Sequence, residues 1–231
     1  METIRRTPRH RTKAAAPADR PDRKQAILLA AERLFAQRGY HAVSLRQIAD
    51  EAGVPLALVG YYYGPKQDLF HAIFDHWRHT IDERLARLRQ ALAGPEEGDR
   101  LAQVITAFVE PVMQIRASAE GEYYALLVAR ELAYRTEDAD RVLSDYFDPM
   151  AHAFIDALLQ VCPGSTRAEA AWAYQFALGA LLHHMSDARV QRLSLGANTP
   201  FDPAATPRLI RFMAAGIAAL LPPGPAKRRR S

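Results

Sequence analysis

Between Gly53 and Phe70 the chain reads GVPLALVGYYYGPKQDLF. Three consecutive phenols, Tyr61, Tyr62 and Tyr63, stand between Gly60 and Gly64, with Pro55 upstream and Lys66 downstream. These are groups for gripping rather than for bond making. A phenol donates a hydrogen bond while its ring lies on an apolar surface, an ammonium is a point charge for an anion, and a glycine lets the backbone approach what it faces. Groups for covalent or acid–base work do not assemble: the chain has no HExxH, CxxC, phosphate loop or GxSxG. His183 and His184 are adjacent and diverge on a helix. His71, Asp75 and His79, spaced i, i+4, i+8, would share a helical face and could supply three metal ligands. Phe70, Ile73, Trp77 and Ile81 define the buried face of that helix, however, and the histidines fall away from it. No catalytic residue, metal or cofactor is expected.

The elements that must hold the phenols are helices. No strand-like alternation runs for more than a few residues, and Gly and Pro mark short breaks between helix-period segments. A first helix over 22–38, capped by Asp22, carries Ile27, Leu28, Ala31, Leu34 and Phe35 as one apolar stripe and ends at Gly39. Ser44, with Gln47 three residues on, is a capping box for a short second helix over 45–52. Gly53 closes that helix, Pro55 opens a third that ends near 61–63, and Gly64-Pro65 leads into a long fourth over 66–93. Two short helices joined by a Gly-containing turn form the helix-turn-helix pattern. Val43, Leu45, Ile48, Ala49, Ala52, Val54, Val59 and Tyr63 would face inward, leaving Leu56, Ala57, Gly60, Tyr61 and Tyr62 outside. Further helices are read over 97–117, 122–135, 138–160 with an interruption at Asp148-Pro149, 166–189 behind a Thr166/Glu169 capping box, and 207–221.

The stretch QAILLAAERLFAQRGYHAVSLRQIADEAGVPLALVGYYYGPKQDLF, residues 25–70, resembles the TetR/AcrR family of one-component transcriptional regulators. AAERLFAQRGY is similar to the first helix of that family, SLRQIADEAGV to the second, and PLALVGYYYGPKQDLF to the recognition helix running into the fourth. The rest of the chain matches in plan alone. The implied fold is all-α, of about nine helices: an N-terminal three-helix helix-turn-helix DNA-binding domain and a C-terminal helical ligand-binding and dimerisation domain. The expected division is a disordered basic arm at 1–21, the DNA-binding domain at 22–66, the effector and dimerisation domain at 67–221, and a basic tail at 222–231.

Carried over by resemblance, Ser44 is a phosphate-touching cap, Arg46 reaches base edges, and Leu56, Ala57 and Leu58 begin the recognition helix. Tyr61 and Tyr62 are the aromatic pair at backbone and groove, and Lys66 holds a phosphate. Gly60, Leu58 and Pro65 depart from the residues most common in the family, which alters polar reach toward the bases but not the fold. The side chains suit that work. Leu56 and Ala57 can meet thymine methyls, Gly60 admits a close approach, and Tyr61 and Tyr62 can put hydroxyls on phosphates. Arg46 can either grip a guanine edge or remain a solvated helix arginine. Lys66 sits at a helix N-terminus that favours an anion.

In the second half, the helix over 166–189 offers Trp172, Phe176, Gly179 and His183 on one face and small residues, Ala173, Ala177 and Ala180, on another. The last helix is apolar nearly all round. Helices apolar on several faces must be covered on several sides. A homodimer is therefore expected through Ala173, Ala177, Ala180, His184, Phe212, Met213, Gly216, Ile217 and Leu220, and its two-fold symmetry implies a palindromic DNA operator. An apolar pocket for a small-molecule effector is expected around Trp77, Phe108, Met113, Leu127, Glu131, Phe154, Trp172, Phe176 and His183. Ordinary core is the alternative for each of these.

Residues 1–24 hold eight Lys/Arg and three Asp/Glu, residues 222–231 hold four Lys/Arg and no acid, and the body between is mildly acidic at net −5. Such ends suit a polyanion, and the N-terminal arm could enter a minor groove or could serve only solubility. A single cysteine, no apolar leader and a longest apolar run far short of a bilayer span point to a cytoplasmic protein without a membrane partner. The function expected from the resemblance is a homodimeric repressor released from its operator by a small molecule. Competing readings are an activator or ligand-independent regulator of the same fold, or an all-α small-molecule-binding protein or enzyme.

Overall fold

In the computed structural model, which describes residues 23–94, 99–133 and 137–221, helix α1 (Arg23–Arg38) buries Ile27, Leu28, Ala31, Leu34 and Phe35, the stripe read from the sequence. Helix α2 (Leu45–Glu51) starts on a complete capping box: Gln47 N–H donates to the Ser44 hydroxyl, and the Gln47 side chain accepts from the Ser44 N–H. The chain then reverses at Gly53, whose φ of +65° is a left-handed turn that a side chain would strain. Helix α3 (Leu56–Tyr63) follows, and after Gly64-Pro65 helix α4 (Lys66–His76). The rings of Phe35, Tyr40, Phe70 and Phe74 pack edge-on or tilted, with centroids 4.7–5.6 Å apart, and fasten α1 to α4. The basic arms and the Asp22 cap lie outside the described residues.

The long fourth helix expected over 66–93 is two helices. The backbone leaves helical geometry at Trp77 (φ −92°, ψ 5°), and α5 (Arg78–Ala93) starts anew. The cause is tertiary. The Trp77 indole N–H donates to Glu32 of α1 at 2.7 Å, and the indole stacks on the Tyr124 ring at 4.9 Å and 10°. The freed Trp77 carbonyl accepts from the Thr80 hydroxyl at 2.7 Å.

Helices α6 (Arg100–Ala117) and α7 (Glu122–Ala133) pack beside α5 and under α1. Helix α8 (Glu137–Val142) runs through a π-turn, Leu143–Phe147, into α9 (Asp148–Val161), which restarts at the expected Asp148-Pro149 position. Helix α10 (Arg167–Ser186) begins on its Thr166/Glu169 box, and α11 (Val190–Leu193) and α12 (Thr206–Leu220) complete the chain. The expected nine helices are thus twelve among the described residues, through the break at Trp77, the π-turn and the short α11. One continuous apolar core joins the two halves, from Ile27 and Phe35 to Phe108, Phe154 and Leu181.

Phe70 is fully buried at the centre of the α1–α4 aromatic cluster. Phe70→Ala should therefore lower unfolding free energy by about 3–5 kcal/mol, read from urea denaturation followed by circular dichroism. A loss below about 1 kcal/mol would mean the cluster does not hold α4 to α1.

Candidate functional site

Helix α3 is anchored at a few points and otherwise open. Val59 is 0% exposed and is its one fully buried residue, Leu58 is half-buried against the core, and the Tyr63 hydroxyl donates to the Lys24 carbonyl at 2.8 Å. Leu56, Ala57, Gly60, Tyr61 and Tyr62 face outward, and Tyr61 is 79% exposed, the edge of one phenol against the other at 5.2 Å. A Cβ at Gly60 would meet nothing within 4 Å, so no contact within the protein requires glycine there. An exposed glycine in a helix costs about 1 kcal/mol relative to alanine. Ser44 and Arg46 are exposed beside α3 on α2. The helix itself, LALVGYYY, carries no charge.

Lys66 takes a different position from the outer residues. It is half-buried, and its ammonium donates to the carbonyls of Tyr40 and Val43, both at 3.0 Å, while lying 4.2 Å over the Tyr40 ring. In this arrangement it braces the α1–α2 corner that presents the Ser44 cap. An ion pair between Arg33 and Glu51 ties α1 to α2 on another side.

The expected pocket residues separate into two groups. Trp77, Phe108, Met113, Leu127, Glu131 and Phe154 are buried. Trp172 and Phe176 are not: they are 61% and 60% exposed and stack on each other at 5.6 Å on the outer side of α10. His183 is also outside, 3.3 Å from Asp187. Trp172, Phe176 and His183, expected at the pocket, thus lie outside, whereas Ala173, Ala177 and Ala180, expected at the dimer interface, line the groove between α10 and α12. Ala173 and Ala177 point inward, where small side chains let α10 approach its neighbours closely, and the large rings face out.

Ala180 and His184 are half-buried, Met213 and Ile217 are buried, and Phe212, Gly216 and Leu220 are exposed. An apolar groove of about 430 Å³ runs between α10 and α12, bordered by Phe176, Phe212, Met213, Gly216, Ile217 and Leu220. As for a metal, His79 pairs with the His76 carbonyl beyond the Trp77 break and Asp75 accepts from the Tyr146 hydroxyl at 2.6 Å. Among the described residues no three His, Cys, Asp or Glu side chains are gathered. None of the described helices is long and apolar enough to cross a membrane.

Several buried polar groups escaped the sequence reading. Arg84 lies among Phe108, Phe154, Tyr124 and Tyr174. Its position on the stripe Trp77, Ile81, Arg84, Leu88 was legible as a charge at a core position. Glu32 interrupts the buried face of α1 at the seam between the halves. Burial raises its carboxyl from 4.5 to about 7, against the opposing pull of the Trp77 N–H.

A three-helix head with a short outward helix, carried on a helical body, is the architecture of a helix-turn-helix regulator. Residues 27–73 match the model of bacterial regulatory proteins of the tetR family, and residues 106–216 match the tetracyclin repressor-like C-terminal domain. The regulator BetI of Brucella suis biovar 1 is 31% identical over 181 residues, covering 78% of this chain and 84% of that protein. The transcriptional activator FasR of Mycolicibacterium smegmatis is 34% identical over 92 residues. That match covers 39% of this chain and only 41% of the relative's length. A solved TetR-family regulator from Bordetella parapertussis 12822 shares the fold at 20% identity and a TM-score of 0.59, covering 83% of this chain and 94% of that one. The chain belongs to the TetR family of helix-turn-helix transcriptional regulators.

Glu32 gives the seam a pH dependence. The unfolded chain loses this proton near 4.5 and the folded chain holds it to about 7. The stability contributed by the site is therefore complete below 4.5 and lost as pH rises through about 7. Glu32→Gln keeps an acceptor for the indole N–H and removes the titration. It should flatten the decline in stability between about pH 5 and pH 8 and be the more stable protein at the upper end, by on the order of 2 kcal/mol. Urea titrations at the two pH values measure this, and an unchanged decline in Glu32→Gln would remove Glu32 as its source.

Proposed function

We propose that this protein is a homodimeric repressor acting in the cytoplasm, bound to a palindromic operator through two copies of α3 and released by a small molecule held in the helical body. The observation that carries the reading is α3 itself: a rigidly seated helix whose outer residues, Leu56, Ala57, Gly60, Tyr61 and Tyr62, contribute little to the fold. Leu56 and Ala57 suit thymine methyls, the two phenols suit phosphates and sugars, and Arg46 from α2 suits a guanine edge. Ser44 and the N-terminus of α2 suit a phosphate. Lys66 contributes by fixing the corner through the Tyr40 and Val43 carbonyls.

The exposed apolar face of α10 and α12 supports the dimer. Phe176 and Phe212 are each more than half exposed beside one groove, and Trp172, stacked on Phe176, is exposed as well, an arrangement that a second copy would cover. Two copies must then hold their α3 helices about 34–36 Å apart to enter successive major grooves. An effector that favours a conformer with another spacing loosens DNA, and DNA weakens the effector by the same factor. The relative named an activator makes activation through the same DNA contact the second reading. A reporter fused to the bound sequence gives the sign: expression rising on deletion of the gene is the expected result, and falling expression makes the protein an activator.

Sequences selected from random DNA by the purified protein should be inverted repeats. Tyr62→Ala should bind them at least about tenfold more weakly in a mobility-shift titration while keeping its helical circular dichroism. Full affinity would exclude α3 as the reading helix. Phe212→Arg should shift the sedimentation coefficient from that of a dimer toward that of a monomer and abolish cooperative binding to both half-sites. A variant that still sediments as the wild type would move the interface elsewhere.

A further inference from the structure

Among the described residues of the body two arginines are buried, Arg84 and Arg116, and they are treated differently. Arg116 is paired: its guanidinium donates to Glu122 at 3.2 Å and to the Met185 carbonyl at 3.3 Å. Arg84, on α5, is 6% exposed, its Nε is buried with no hydrogen-bond partner, and no carboxylate is paired with it among the described residues. Its guanidinium lies 4.8 Å from the centre of the Phe108 ring and 5.7 Å from that of Phe154. Ring faces at a dry site offset only part of what the desolvation of an ion costs. The two phenols near it, Tyr124 and Tyr174, are buried and held protonated by that burial, so they are neutral donors and not counter-ions. A small cavity of about 30 Å³ lies beside Arg84, lined also by Tyr124 and Thr80, with no acid on its walls, and closed on its other sides by Ile81, Val112 and Met185.

We propose that Arg84 is the anchor for the carboxylate of a small organic acid, the effector of this regulator, whose apolar tail lies among α5, α6 and α7. The proposal rests on the reading of the protein as an effector-controlled DNA-binding regulator and names the chemistry of that effector. The guanidinium fork offers two parallel N–H donors to a carboxylate, a geometry that an alcohol or an amine does not match. The existing cavity has room for about one water. The tail therefore enters only as α5 parts from α6 and α7, and that parting is the change the ligand selects. It has a short route to the DNA-binding head: Thr80, one turn before Arg84, holds the Trp77 carbonyl, and the Trp77 indole holds Glu32 of α1.

Sodium octanoate, octanol and octylamine, of equal chain length and different head group, test the proposal on the full-length protein by isothermal titration and thermal melting. Octanoate should raise Tm saturably and bind at least tenfold more tightly than octanol, and octylamine should give no shift. Arg84→Met should lose the octanoate response while keeping its circular dichroism, and Arg84→Lys should keep a weakened preference for the acid. Should Arg84→Met fail to fold, Arg84→Lys carries the comparison. Equal binding of octanol and octanoate, unchanged octanoate affinity in the Arg84 variants, or no binding of the acids from butanoate to dodecanoate would overturn the proposal. Mobility shifts on the selected DNA, run without acid, separate the two readings. Arg84→Met should bind DNA as the wild type does, so a failure of octanoate leaves the regulator standing. Absence of sequence-specific DNA binding in the wild type removes the regulator whatever octanoate does.

Discussion

Helix α4 belongs to both halves of the molecule, and the burial of Phe70 and Phe74 on it is the packing on which the arrangement depends. Phe70 faces Phe35 and Tyr40 of the DNA-binding head, and one turn later Phe74 faces Tyr124 and Phe147 of the body. Both rings are essentially inaccessible to water. Separating α4 from the head would uncover Phe70 and separating it from the body would uncover Phe74, either at a cost of roughly 1.5–3 kcal/mol. The head is therefore carried as part of the body rather than on a flexible linker. The Trp77–Glu32 hydrogen bond is a second tie between α1 and the start of α5.

The head and the start of α10 were legible because their determinants are local. Capping boxes at Ser44 and Thr166, the turn at Gly53 and the stripe on α1 are each written within a few residues, and each is found as written. The break at Trp77 was not legible, because its cause lies on α1 and α7, far away in the chain. The exposure of Trp172 and Phe176 was not legible for a related reason. Apolar periodicity marks two faces on α10 without saying which of them the rest of the chain covers. Close packing of α10 required alanines on the inner face and left Trp172 and Phe176 outside. Arg84 was overlooked because the reading searched core positions for apolar side chains, when a charge at such a position is the rarer and more informative sign.

Charge is distributed so that the reading helix is neutral. With no Lys, Arg, Asp or Glu in Leu56–Tyr63, α3 neither attracts nor repels the phosphates by net charge. The basic runs sit instead in residues 1–24 and 222–231, while the body carries a net −5. Non-specific attraction to a polyanion grows with the number of phosphates neutralised. The lysines and arginines that would supply such attraction thus lie in stretches of the sequence other than α3.

The sparse anchoring of α3 has a consequence for descent. Because Val59 alone is fully buried in that helix, a gene duplicate can exchange Leu56, Ala57, Tyr61 or Tyr62 without repacking anything. New regulatory circuits can therefore arise by drift at a handful of codons, while the machinery that senses the cell's chemistry is inherited intact.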